Sequence, residues 1–106
     1  MELFGTLIIC YIGGMVKIAN ERKEADMLQL ALTNGFALGI MVYAGAHISG
    51  SHYNPAITLA LVLIKKCEKC DAFVYILFQT IGGTLGGILV CFMGNNGVSL
   101  LSFTIY

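Results

Sequence analysis

Charged residues are scarce in this sequence. Lys, Arg, Asp and Glu make up 11% of its 106 residues, and the six basic side chains balance the six acidic ones. Soluble globular domains carry about 25% charged residues, so this composition excludes an ordinary soluble surface. A zero net charge also lacks the basic excess that binding to nucleic acid requires. We therefore expect no nucleic-acid partner.

Proline is almost absent, with Pro55 alone against thirteen glycines, while 58% of the residues are hydrophobic. Small residues let helices approach one another closely within a membrane, where such contacts drive helix association. The composition therefore predicts an all-α integral membrane protein that crosses the lipid bilayer several times.

Cysteine offers little chemistry. Cys10 and Cys91 lie in apolar runs, where cysteine is most simply a small hydrophobic residue. Cys67 and Cys70 form a C-x-x-C pair, a spacing found in zinc and redox sites, but a closed zinc site has four ligands. Because the sequence has no second pair, we expect neither a metal ion nor a cofactor.

The sequence also lacks an arrangement for catalysis. His47 and His52 lie close to Ser49 and Ser51, but no acidic residue is nearby in sequence. A Ser–His hydrolase needs a nucleophile on a strained turn and a base that a third group orients. We therefore do not expect an enzyme.

Three apolar runs are long enough to cross a bilayer core of about 30 Å as helices. They predict transmembrane helices at 3–19, 27–46 and 72–93. A cleaved signal peptide is the alternative for the first run, but this run has no basic n-region and begins after Glu2. The segment 94–106 starts with a turn-like GNNG, and its apolar run is too short to span.

A polar segment, GAHISGSHYNPAITL at 45–59, separates the second and third spans. Asn54 is a preferred N-cap residue, and Pro55 at the first helical position lacks an N–H that would be unpaired there. The apolar residues that follow predict a helix at 55–65, about 15 Å long, which is half of the bilayer core. Irregular backbone at membrane depth is tolerated only beside protein or a water-filled cavity. The segment therefore predicts a re-entrant half-helix next to an aqueous path, or next to protein that covers it.

Polar residues within the spans leave alternatives open. Glu2 is either an interfacial carboxylate near the N-terminal amine or an inward-facing acid that braces a loop. Asn34 is either a hydrogen-bonding group between helices or a pore residue. Two overlapping small-xxx-small repeats in the third span predict a packing face for another helix: Gly82, Gly83, Gly86 and Gly87.

The run HISGSHYNPAITL, from His47 to Leu59, resembles the first asparagine-proline-alanine (NPA) loop of the aquaporin, or major intrinsic protein, family. ELFGT at the N-terminus resembles the start of that family's first helix, and Tyr75-x-x-x-Gln79-x-x-Gly82 resembles its third. The resemblance covers residues 2–94 and corresponds to the first half of the family's six-helix inverted repeat. It implies half of an aquaporin-like fold in a single unit, with three transmembrane helices and one re-entrant half-helix.

In that family two half-helices meet at the midplane with facing N-termini, and each motif asparagine offers its side-chain N–H to passing water. The resemblance thus implies a set of residues along the path of water or a small neutral solute: Asn34, Gly50, Ser51, His52, Asn54, Pro55 and Ala56. A further set is expected to brace the loop: Glu2, His47 and Gln79.

The sequence departs from the family in several places. It has one motif only, without the second half-helix, the last three spans or the arginine after the second motif, so this chain alone does not enclose a pore. Asn34 stands where members that conduct mainly water carry an aromatic residue, and Ala46 replaces a usual glycine.

Two functions remain open at this point. One is a half-channel for water or small neutral solutes that pairs with a second half, such as an antiparallel copy of the same chain. The alternative is a non-transporting accessory subunit packed among other subunits of a larger membrane complex. Orientation follows the Lys/Arg bias between loops, which is three against three here. With Lys17, Arg22 and Lys23 on one side and Lys65, Lys66 and Lys69 on the other, two alternatives stay open: insertion in both directions, or a single orientation fixed by partner subunits.

Overall fold

The computed structural model of the chain describes residues 1–94. This part of the chain is all-helical, with four helices and no strand: α1 (Glu2–Glu21), α2 (Met27–Ser49), α3 (Pro55–Leu63) and α4 (Lys69–Met93). α1, α2 and α4 are long and apolar enough to cross a membrane. The predicted fold class and multi-pass membrane location are thus confirmed. The tail predicted at 94–106 lies, after Gly94, outside the described residues.

The helix ends differ from the predicted ones for local reasons. α2 continues past residue 46 to Ser49 and stops at Gly50, which has a φ of 80° and donates its N–H to the carbonyl of Ala46. α4 begins at Lys69 rather than at residue 72, because the extended Glu68 serves as its N-cap. α3 ends two residues early, at Leu63.

α1 lies between α2 and α4 and packs against both, while α3 packs on α4. α1 and α4 run parallel, because Leu3 approaches Gly82 and Ile18 approaches Gly94. α1 and α2 are antiparallel, because Gly13 lies near Asn34 while Met1, at the start of α1, lies near Gly45 toward the end of α2.

The contact between α1 and α4 depends on two glycines. A Cβ at Gly82 would overlap the backbone of Leu3, and a Cβ at Gly86 would lie 2.6 Å from the carbonyl oxygen of Leu7. Both positions therefore exclude any larger residue at this helix separation. The other two glycines of the repeat are less constrained. An added Cβ would make ordinary contacts at Gly83 and would meet nothing within 4 Å at Gly87.

α3 covers only half the length of α4. Gln79 is ten residues into α4 from Lys69, which corresponds to about 15 Å along the helix. Its side chain contacts Thr58 in the first turn of α3. α3 has nine residues, about 13 Å, and so extends from the middle of α4 to the loop that precedes it.

Candidate functional site

The carboxylate of Glu2 is the centre of a buried hydrogen-bond network. Its Oε1 accepts from the hydroxyl of Ser49 at 2.6 Å and from the N–H of His52 at 3.1 Å. Its Oε2 accepts from the N–H of Tyr53 and from Nε2 of Gln79, both at 2.7 Å. Glu2 is 4% exposed, so the structure places it inside the fold and not at an interface. The first turn of α1 thereby holds the loop before α3 against α4.

The loop reaches this carboxylate through left-handed backbone. Gly50, Ser51 and Tyr53 have φ values of 80°, 53° and 47°. For residues other than glycine this conformation costs about 1–2 kcal/mol each. In return, consecutive N–H groups of His52 and Tyr53 point to one spot and form a concave anion site of the backbone type. The carboxylate of Glu2 occupies that site and stabilises the strained turn.

Tyr53 anchors the loop to α1 and α2. Its hydroxyl donates to the carbonyl of Met41 at 3.0 Å and lies 3.1 Å from the Oγ of Ser51. Its ring occupies space that a Cβ at Gly5 or Gly45 would fill. The two glycines therefore make room for the tyrosine between the two helices.

Thr58 joins α3 to the loop and to α4. It is fully buried, and its hydroxyl donates to the carbonyl of Asn54 at 3.1 Å. It accepts from Nε2 of Gln79 at 3.0 Å and lies 3.1 Å from Nδ1 of His52. Because a hydroxyl has one hydrogen, His52 must carry a proton on Nδ1 for all three contacts to be hydrogen bonds. The His52 ring also packs edge-on against Tyr75, with centroids 5.1 Å apart.

The NPA residues form one helix-starting unit. Oδ1 of Asn54 accepts from the N–H of Ala56 at 2.8 Å, and Pro55 occupies the first helical position. This bond fixes the amide of Asn54, so that its Nδ2 points away from the helix end. Asn54 is exposed, and among residues 1–94 its Nδ2 donates no hydrogen bond.

Unpaired acceptors precede this unpaired donor. In the described part of the chain the carbonyl oxygens of Gly50, Ser51 and His52 accept no hydrogen bond. The next carbonyl, that of Tyr53, accepts from the hydroxyl of Thr6 at 3.4 Å. The five consecutive residues 50–54 thus supply three free acceptors and one free donor at the start of α3.

The structure does not bring Asn34 and His47 into this network. Nδ2 of Asn34 donates to the carbonyl of Leu30 at 3.0 Å, and its Oδ1 lies against Gly13 of α1. Asn34 is about 22 Å along α2 from Ser49, so it sits at a helix contact, and its pore role stays a prediction. His47 is exposed in the last turn of α2. Among residues 1–94 its side chain makes no hydrogen bond, and its bracing role stays a prediction.

Sequence reasoning missed Ser49, Tyr53 and Thr58 as structural parts of the site. The sequence could have indicated Thr58, because a hydroxyl four residues after the N-cap lies on the same face of the helix as the cap. Over residues 1–94 no three His, Cys, Asp or Glu side chains come together in a way that could hold a metal ion.

Comparisons with known proteins show which family this chain is similar to. The model of the major intrinsic protein family matches residues 1–105. Aquaporin-8 of Rattus norvegicus is 35% identical over 89 residues, which are 84% of this chain and 34% of that protein. The glycerol uptake facilitator protein of Buchnera aphidicola is 33% identical over 105 residues, or 97% of this chain and 39% of its own length. Aquaporin NIP1-1 of Zea mays is 38% identical over 86 residues, which cover 79% and 30% of the two chains.

The chain therefore spans between 30% and 40% of the length of these curated relatives. No solved structure matches it significantly. The family match extends over three apolar helices, the motif-capped α3 and the Glu2 network, and the described helices form half of an aquaporin-like fold. This chain belongs to the major intrinsic protein family.

Proposed function

We propose that the chain supplies one half of a transmembrane pore for water or small neutral solutes. The observation that carries this proposal is the free side-chain N–H of Asn54 beside the free carbonyls of residues 50–52. These groups lie at the start of α3, about halfway along α4. The relatives named aquaporin and glycerol uptake facilitator agree with a small neutral substrate.

Unpaired polar groups at this depth favour a hydrogen-bonding occupant. A buried amide or carbonyl without a partner costs several kcal/mol, roughly 2–7 depending on the reference state. Water or a small polyol in single file supplies both donors and acceptors and removes that cost. The N-terminus of α3 also carries a partial positive charge of about half a unit, which repels cations. The site is therefore suited to neutral molecules.

A second half is needed because the pore side is open. Asn54 is exposed, and so are the apolar side chains of Ile57, Leu59 and Leu63 on α3. An antiparallel second copy would bring two α3 N-termini face to face and give each free N–H a counterpart. The balanced Lys/Arg distribution allows the two opposite insertions that this assembly requires.

Reconstitution of the purified chain alone in liposomes tests the proposal. Orientation is read from impermeant labelling of Lys65, and water flux from the shrinking rate in an osmotic jump. We expect chains in both orientations and a flux above that of empty liposomes. A single orientation without added flux would contradict the half-channel and support the accessory-subunit alternative.

Asn54→Asp separates the two tasks of this residue. Aspartate retains an oxygen for the N–H of Ala56 and remains a good N-cap, but it has no side-chain N–H to offer. We expect normal helicity and assembly with at least about a tenfold lower water flux, since the single-file donor is lost and a charge is added. The matched control is Glu21→Gln at the exposed end of α1, which also changes one charge but lies outside the site and should keep its flux.

A further inference from the structure

The outer face of α2, opposite the side that packs on α1, is left uncovered by the described part of the chain. Only 6% of the apolar stretch of α2 is buried, against 28% in α1 and in α4. A Cβ added at Gly35 or Gly39, the glycine pair of this face, would meet nothing within 4 Å. At the spacing of one helix face, six exposed residues form what we call the outer row of α2: Leu28, Ala31, Gly35, Gly39, Val42 and Ala46.

The residue sizes in the outer row match those of a second copy that runs in the opposite direction. With the glycine pairs of two antiparallel α2 helices facing each other, Leu28 is level with Ala46 of the other copy. Ala31 lies within one residue of the level of Val42. Each large side chain then meets a small one, and the glycines allow close approach at the crossing. A parallel pair would set Leu28 against Leu28 and Ala46 against Ala46, which leaves an overlap at one end and a gap at the other.

The charges at the two ends of α2 favour the same direction. Asp26 is the N-cap of α2, the basic residue His47 lies in its last turn, and both are exposed. In the antiparallel pair, Asp26 of one copy lies within one residue of the level of His47 of the other. The partly positive N-terminus of each helix also lies beside the partly negative C-terminus of its partner. A parallel pair would instead bring the two carboxylates to one level and the two imidazoles to another.

The depth of the glycine pair agrees with the pairing of the α3 helices. The pair is centred one residue from the midpoint of α2 (Met27–Ser49). The loop before α3 lies close to the same depth, because Tyr53 donates to the carbonyl of Met41 and the hydroxyl of Ser51 donates to that of Val42. A single two-fold axis in the membrane plane can therefore relate both the crossing of the α2 helices and the meeting of the α3 N-termini.

We propose that a second copy of this chain docks on the outer row of α2 through a two-fold symmetric, antiparallel contact between the two α2 helices. The inference rests on the proposed pairing of two half-channels and names the surface through which they meet. Because both copies use the same residues, the contact is isologous and closes at two chains.

Disulfide cross-linking in liposomes tests the contact. Two full-length variants with tags of different size carry either Leu28→Cys or Ala46→Cys, and they are reconstituted together or separately and oxidised with copper phenanthroline. We expect dimers that join the two variants, and at least about tenfold fewer dimers from either variant alone. In the antiparallel pair, equal positions lie about 27 Å apart along the helix axis, too far for a disulfide. Four substitutions remove the native thiols from both variants: Cys10→Ala, Cys67→Ser, Cys70→Ser and Cys91→Ala.

A third substitution in both variants tests whether the glycines set the approach. Gly39→Leu places a large side chain at the crossing and should lower the yield of the mixed dimer at least about fivefold. Thr84→Leu, on an exposed face of α4, is the matched control and should leave the yield unchanged. Circular dichroism checks that helicity is the same in both. Equal yields from the two variants would overturn the docking surface.

The same liposomes separate this inference from the proposed pore. Dimers formed mainly by each variant alone would show a parallel pair and overturn the antiparallel contact. Absence of any dimer would also overturn it, and water flux would then show whether the half-channel stands with its second half bound elsewhere. A mixed dimer in liposomes without added flux would support the α2 contact and contradict the pore.

Discussion

The carboxylate of Glu2 accepts hydrogen bonds from four donors. A side chain that replaces Glu2 must therefore present two acceptor oxygens in the same place. Two of these donors are backbone N–H groups of a strained turn, which cannot rotate away to find other partners. The stability of the loop before α3 therefore depends on a side chain that is about fifty residues distant in sequence.

Glu2→Gln is expected to destabilise the fold by roughly 2–4 kcal/mol. The variant loses charge-assisted bonds and places an NH2 group against the N–H of Tyr53 or the amide of Gln79, so a buried donor is left unpaired. Unfolding in detergent by a denaturing surfactant measures the change. The control is Glu21→Gln, at the exposed far end of α1. An equal loss of stability in this variant would contradict a special role of Glu2.

The sequence predicted those parts of the site whose structure depends on residues adjacent in the chain. Asn54 and Pro55 start α3 because capping and the missing proline N–H depend on a few adjacent residues. Glu2 stayed ambiguous, because the choice depends on Gln79, which is 77 residues away. Nothing local indicated the left-handed backbone of Ser51 and Tyr53, since distant hydrogen bonds stabilise it.

Among the helices, α1 and α4 show how small residues set separation. The repeat of four glycines predicted a packing face, and the fold uses Gly82 and Gly86 for it within the chain. Periodicity identifies such a face, but it does not say which neighbour covers it. The length of α4 was underestimated because the charged residues at its start were assigned to the loop, whereas the helix begins at Lys69, directly after the extended Glu68.

Gly86→Ala and Gly87→Ala are expected to have opposite effects. The new Cβ at position 86 would lie 2.6 Å from the carbonyl oxygen of Leu7, and overpacking of this kind costs about 1–3 kcal/mol. At position 87 nothing lies within 4 Å, so the better helix propensity of alanine is worth up to about 1 kcal/mol. Unfolding of both variants in the same detergent measures the difference. Equal stability would show that the α1–α4 distance adjusts freely.

On the scale of the whole molecule, many large apolar side chains of residues 1–94 are exposed and not covered by protein. Tyr43 on α2 and Phe92 on α4 are 89% and 86% exposed. Such a surface suits lipid or other membrane helices. It gives no indication by itself of which face meets a second copy, so the proposed pairing depends instead on the free polar groups of residues 50–54 at the start of α3.

If two copies form one pore, water flux per chain should rise with the protein-to-lipid ratio. Association follows mass action, so dilution in lipid favours single chains that lack a closed pore. Liposomes prepared over a wide range of ratios, with flux normalised to protein, measure this. A flux per chain that is constant at every dilution would show that a single copy, or a preformed and non-dissociating assembly, carries the activity.

The hydrogen bond between Glu2 and Gln79 also constrains the order in which the protein is made. The two residues are 77 positions apart, and at a synthesis rate of about 5–20 residues per second the second follows the first by roughly 4–15 s. During that interval the carboxylate has no amide partner on α4, and the ribosome has yet to supply the helix that buries it. The loop before α3 acquires its final shape only when α4 arrives.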